Sequence, residues 1–131
     1  MFWNKNKEKN IGGIGEKVAG KYLKKKGFKI IEFNYQNKTG KRLGEIDIVT
    51  KKDKQIVFVE VKSRMSDGIT VVLPEENITR DKLYKLQKII NAYIREKNLW
   101  ECDYRLDAVS ILFGQNGKDI LEIRHLESIF Y

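Results

Sequence analysis

Apolar positions recur along this chain with two periods, and the switches between them mark out the elements. From about Asn10 to Lys26, Ile11, Ile14, Val18 and Tyr22 return at steps of three and four, the spacing of one helix face. Gly12, Gly13, Gly15 and Gly20 fall in the same stretch. Each weakens helix propensity by roughly 1 kcal/mol. Packing must therefore hold this helix, and the glycines let a neighbour come close. Gly27 stands where a left-handed residue would end it.

The pattern then changes to runs rich in β-branched and aromatic residues. FKIIEFNY (28–35) predicts a strand, QNKTGKR a turn, and residues 43–50 and 55–62 a hairpin around a lysine-rich turn. Residues 63–78, with the only proline, Pro74, read as a long loop, a length common in functional segments. Leu83, Leu86, Ile90 and Ile94 form the stripe of a second helix running to about Asn98, with Thr79 or Asn77 as its cap. YRLDAVSILF (104–113) and DILEIRHL (119–126) are two further strands around a turn at Gln115-Asn116-Gly117. The order is α-β-β-β-α-β-β. A strand–helix–strand crossover favours parallel pairing in one sheet, so the expected class is α/β, a mixed central sheet flanked by helices.

The hairpin breaks its own pattern. GEIDIVTKKDKQIVFVEVKSR (44–64) places Glu45, Asp47 and Glu60 in apolar runs, with Lys62 two residues after Glu60. Residues two apart on a strand share a face, so Glu60 goes with Lys62 and Glu45 with Asp47. Pairing Asp47 with Val59 would separate Asp47 from Glu60, whereas a shift of one residue or a bulge would unite them; turn chemistry alone leaves this register open. The common face is expected, because charges scattered over both faces of an apolar hairpin are costly. Two converging carboxylates suit a hard cation such as Mg²⁺, and an adjacent lysine can stabilise charge developing on an attacked phosphate. A Glu and Lys two apart are also commonly a surface ion pair worth little. Glu16 projects at the edge of the first helix's apolar arc, and Lys82 falls within the arc of the second. Glu16, Asp47, Glu60 and Lys62 are thus expected to converge in one concave site.

Length and composition narrow the class. A chain of 131 residues with 41% hydrophobic content suits a single folded domain, expected over 10–131 after a basic, flexible lead-in at 1–9. No apolar run approaches the roughly 20 residues that span a bilayer, and MFWNKNKEKN has no apolar signal core. One cysteine, Cys102, allows no internal disulfide. These features set the expectation of a cytoplasmic protein. A net charge of +8 points to a polyanionic partner, most simply nucleic acid.

In this order and spacing, GEKVAGKYLKKKGF (15–28), GEIDIV (44–49), FVEVKSR (58–64), ITRDK (78–82) and RLDAV (105–109) resemble the YraN-type family of bacterial predicted endonucleases. That family lies within the PD-(D/E)XK superfamily of restriction-endonuclease-like fold, and the chain is more distantly similar to archaeal Holliday junction resolvases. The resemblance spans about residues 12 to 130. It implies a restriction-endonuclease-like α-β-β-β-α-β core with an extra C-terminal strand. By it, Asp47, Glu60 and the backbone carbonyl of Val61 would hold Mg²⁺ or Mn²⁺, Glu16 would assist a metal, and Lys62 would be the catalytic lysine. Lys82 matches a lysine of the family's second-helix motif. The proline of the superfamily name is Ile46 here, and MSDGITVVLPEEN is a looser match.

Other residues weigh less. Arg105 and Asp107 share a strand face and read as an ion pair, with a phosphate contact from Arg105 as the functional alternative. Arg64 and Lys82 are further candidates for nucleic-acid contact. His125 is the only histidine and makes no metal cluster by itself. Trp3, Trp100 and the tyrosines read as core and seam residues, with Tyr35 and Tyr84 as exceptions near the site. Gly15 and Gly20-Lys21 mimic P-loop spacing, but without the following Ser/Thr or a preceding strand. The expectation is a metal-dependent DNA nuclease, acting on branched DNA in repair or recombination by one reading. The alternatives are an inert nucleic-acid-binding module of the same fold and an RNA-processing nuclease. Symmetric cutting of two strands would call for a homodimer.

Overall fold

The structure, a computed structural model, describes residues 5–68 and 78–129. Its elements are α1 (Lys5–Lys25), β1 (Lys29–Gln36), β2 (Glu45–Lys52), β3 (Gln55–Met65), α2 (Arg80–Lys97), β4 (Asp103–Phe113) and β5 (Ile120–Leu126). The order is the expected one, and the boundaries shift by a few residues. α1 begins at Lys5, ahead of the expected Asn10. β3 runs on to Met65, three residues past its expected end. Most of the expected 63–78 loop, Pro74 included, lies outside the described residues, as does Trp3.

The five strands form one sheet in the order β1-β2-β3-β4-β5. β3 and β4 are parallel, from Gln55↔Asp103 to Met65↔Phe113. The other neighbours are antiparallel, so the sheet is mixed. Period two sorts the central strand. Ile56 and Phe58 join the cluster under α2, with Ile46, Leu106 and the stripe Leu83, Leu86, Ile90 and Ile94. Val57 and Val59 join the cluster under α1, with Ala19, Leu23, Val109 and Ile111. The helices thus cover opposite faces of the sheet.

Both helices end as the sequence indicates. Gly27 adopts φ +91, with Gly27 N–H donating to the Lys24 carbonyl at 3.0 Å and Phe28 N–H to that of Leu23 at 2.9 Å, the paired bonds of a Schellman end. Thr79 caps α2, its hydroxyl accepting from Lys82 N–H at 3.2 Å. The sheet-facing row of α1 differs from the expected one. Ile14 is 42% exposed, while Ala19 and Leu23 are fully buried. Gly15 sets this rotation: a Cβ there would lie 1.8 Å from Ser63 Oγ, so the backbone itself packs against β3. Trp100, expected in the core or a seam, is 65% exposed. It lies in the short α2–β4 connection. Among the described residues no helix is long and apolar enough to cross a membrane.

Candidate functional site

The two central strands part at one point. β2 pairs with β3 only from Lys52↔Gln55 to Ile48↔Val59. Beyond that pair β2 continues with β1 alone, to Glu45, and β3 continues with β4 alone, to Met65. Extending the register places Asp47 opposite Glu60, one residue from the alternative that would have separated them. Asp47 stands in the fork. Its Oδ2 accepts from the Val61 backbone N–H at 2.8 Å, replacing the carbonyl that a continuing β2 would offer. The N–H and C=O of one strand residue point to the same neighbour, so Val61 also turns its carbonyl toward this gap.

α1 and β1 bring further acids. The seat of Gly15 on Ser63 carries Glu16 to the same end of the sheet. Asn34 Nδ2 donates to Glu16 Oε2 at 3.1 Å, and Gln36 Nε2 donates to Glu45 Oε2 at 3.2 Å. One carboxylate oxygen from each of Glu16, Glu45 and Asp47 lies within 4.8 Å of the others, a group that can hold a metal ion. All donors are hard oxygens, the chemistry that suits a hard divalent cation over softer metals. The sequence pattern noted Glu45 beside Asp47 without assigning it a role. It gave no sign of Asn34 or Gln36, whose β1 positions matter only once β1 lies against β2.

The charges strain one another. Burial, the neighbouring Glu60 and then Glu16 push the Asp47 carboxyl up to about 8, against the bond from Val61. Glu16 is raised too, first by burial and then by Glu45 and Glu60, with Asn34 opposing. Lys62 Nζ stands 3.3 Å from Glu60 Oε1, with both side chains mostly buried. Lys82 lies against Lys62. Contact with that ammonium, then burial, lowers the Lys82 pKa, and Glu60 opposes the shift. Opposed cations and crowded anions thus meet at the end of β3.

Two clefts open on this meeting point. The larger, about 480 Å³, is bordered by Glu16, Asp47, Lys62 and Arg64 on the α1 side. The smaller, about 220 Å³, is bordered by Glu45, Glu60, Lys62 and Lys82 on the α2 side. Lys62 lines both, so the four expected residues surround a junction of clefts rather than one hollow. Arg105 is not brought here. It pairs with Asp107 at 3.0 Å on β4 and borders a separate cavity with His125. Of the two tyrosines expected near the site, Tyr35 is buried and donates to Glu96. Tyr84 is 63% exposed, with Lys88 Nζ over its ring at 4.6 Å.

The model of the uncharacterised protein family UPF0102 matches residues 15–111, which include every acid and lysine of this junction. A UPF0102 protein of Alkaliphilus metalliredigens is 39% identical over 110 residues, covering 84% of this chain and 91% of its own length. One from Caldanaerobacter subterraneus subsp. tengcongensis is 36% identical over 123 residues, covering 94% and 96%. One from Campylobacter fetus is 40% identical over 105 residues, covering 80% and 86%.

Proposed function

The chain belongs to the uncharacterised protein family UPF0102, and we propose that its site performs metal-dependent hydrolysis of phosphodiester bonds in DNA, in the manner of the PD-(D/E)XK nucleases. One observation carries this reading: Asp47 is fixed in the strand fork among Glu16, Glu45 and Glu60, with Lys62 beside them. Carboxylates forced together until one is pushed up to about 8 are stabilised by a cation. Asp47, Glu60 and the Val61 carbonyl are the proposed ligands, with Glu16 assisting. A bound Mg²⁺ or Mn²⁺ supplies Lewis acidity toward the phosphate and a more acidic water.

The chain's own groups do the rest. Lys62, held by Glu60, offers an ammonium to the attacked phosphate or its incoming water. Water adds at phosphorus, one P–O ester bond breaks, and the leaving oxygen takes up a proton. Charge on the phosphate oxygens grows only in the transition state, where a fixed cation stabilises it most. Lys82 and Arg64, one in each cleft, are the proposed contacts to the flanking phosphates. The net charge of +8 favours a polyanion around the acidic centre.

The test is a cleavage panel of single-stranded, duplex, flapped and four-way DNA, and the matching RNA, with Mn²⁺. Asp47→Ala serves as control. Cleavage of DNA by the wild type and none by the variant is the expected result. Cleavage by both rules out this site as the source of the activity, and cleavage by neither while Mn²⁺ fails to bind rules the reading out in favour of a binding module.

A further inference from the structure

Toward the other end of α1, a third cavity, of about 420 Å³, opens between the helix terminus, the β2–β3 turn and β5. We propose that it binds a phosphate group, with Arg105 as the fixed donor and Lys26 and Lys52 as the closing cations.

The geometry at Arg105 is that of a mounted fork. Asp107 is fully buried. It takes Arg105 Nε on Oδ1 at 3.0 Å and the outer guanidinium nitrogen NH2 on Oδ2 at 3.1 Å. The same carboxylate pairs with His125 Nε2 at 2.8 Å and accepts from Ser128 N–H at 3.0 Å. These bonds hold the Asp107 carboxyl below its ordinary range despite its burial, so the carboxylate stays charged and the guanidinium plane is fixed. Apart from the bond of NH2 to Asp107, the outer guanidinium nitrogens make long contacts: 3.4 Å from NH1 to Gln55 Oε1 and 3.9 Å from NH2 to Glu127. Glu127 is 63% exposed, so its hold on Arg105 is weak and easily exchanged. A planar fork with its inner edge anchored presents its outer edge to a tetrahedral oxyanion.

Two lysines border the same space. Lys52 Nζ donates to the Lys26 carbonyl and rests over Phe28 at 4.9 Å. Lys26 Nζ lies 5.8 Å from the Tyr22 ring centre. Each ammonium carries three donors, and the interactions just named use few of them. Lysines near a helix C-terminus also steady its carbonyls. That role does not explain why a third, rigid cation borders the same cavity. Asp53 and Glu127 lie at the rim, and Glu127 is the group that an entering phosphate would replace on Arg105.

A free phosphomonoester and the backbone of a polynucleotide lying along α1 present the same oxygens. The proposal does not rest on the nuclease reading, since neither metal nor cleavage enters it. His125 is the chain's one histidine, so its imidazole gives a single reporter in an NMR titration at fixed pH without divalent ions. The probes are inorganic phosphate, a 5′-phosphorylated oligonucleotide and the same oligonucleotide without that phosphate. Chloride at matched ionic strength is the reference.

A saturable shift with phosphate or an oligonucleotide is expected. It should weaken about fivefold or more in Lys26→Ala and Lys52→Ala, the scale of one lost charge-assisted contact. It should tighten in Glu127→Gln. Equal responses to the two oligonucleotides assign the site to backbone phosphate, and a response that needs the terminal group assigns it to a phosphomonoester. No saturable shift beyond the chloride reference overturns the proposal. So does a shift that ignores both lysine variants and fails to tighten in Glu127→Gln.

Discussion

Asp47 and Val61 meet side chain to backbone, carboxylate to N–H, at 2.8 Å, at the point where two strands of one sheet part. A backbone donor inside a folded domain needs a partner. Asp47 cannot turn away without leaving Val61 unsatisfied. The same bond that completes the ladder therefore aims an acid into the fork.

That arrangement has a pH signature. The folded carboxyl sits at about 8 against an ordinary 3.8, so between those values the folded state binds more protons than the unfolded state. Stability of the metal-free protein should fall as pH rises through this window. Asp47→Asn keeps an oxygen for Val61 and removes the charge. It should flatten the fall and raise the melting temperature at pH 8.5, by roughly 4 °C for each kcal/mol relieved. Thermal unfolding in a chelator at pH 5 and 8.5 measures this. A wild-type protein more stable at pH 8.5 would contradict it.

Lys62→Ala should slow cleavage by roughly 10²–10³, the usual loss for one preorganised electrostatic donor, while DNA affinity changes little. On the proposed reading, binding is shared among many cations, whereas the transition state depends on this one. Lys62→Arg keeps the charge with a different shape and reach, so rescue should be partial. Single-turnover rates alongside equilibrium binding separate the two effects. Wild-type cleavage by the alanine variant would leave Lys62 as a partner of Glu60 only.

DNA affinity should fall steeply with salt, because the net charge is +8. Each phosphate neutralised on a duplex contributes about −0.9 to the log–log slope. Fluorescence anisotropy between 50 and 300 mM salt, roughly the range over which such contacts are lost, gives the count. A flat profile would detach the basic charge from nucleic acid.

Gly15→Ala tests how α1 delivers Glu16. The added methyl would meet Ser63 Oγ at 1.8 Å and Ser63 Cβ at 3.0 Å, so the hydroxyl must rotate and the helix or strand must give by a few tenths of an ångström. Overpacking of this kind typically costs about 1–3 kcal/mol. The variant should unfold at lower denaturant and bind Mn²⁺ more weakly. Gly12→Ala, with nothing within 4 Å of its added carbon, should do neither. Equal behaviour of the two variants would remove Gly15 from the account.

The parts legible in the sequence were those governed by a period. The α2 stripe, the alternation of β3 between two cores and the shared face of Arg105 and Asp107 all follow from spacing. What spacing could not give was set by contacts distant along the chain. The seat of α1 rotated around Gly15 and left Ile14 outside. The acids acquired Asn34 and Gln36 through the β1–β2 ladder, and Asp107 acquired His125 when β5 returned along β4. The register of Asp47 with Glu60 was open from turn chemistry, and it follows from the two-residue turn that pairs Lys52 with Gln55.

The parallel β3–β4 ladder also sets the order of events during folding. Every pair in it, from Gln55↔Asp103 to Met65↔Phe113, joins residues 48 apart in the chain. The hairpin of β2 and β3 can form early, because its turn is short. Past Val59, however, β3 has only β4 as a ladder neighbour. Beyond the bond that Val61 N–H donates to Asp47, this end of β3, Lys62 included, gains its ladder only after the chain has closed that long loop, an entropically slow step. A nascent chain halted before Asp103 lacks the strand that aligns its lysine with its acids, so the proposed site should arise late, with the completed sheet.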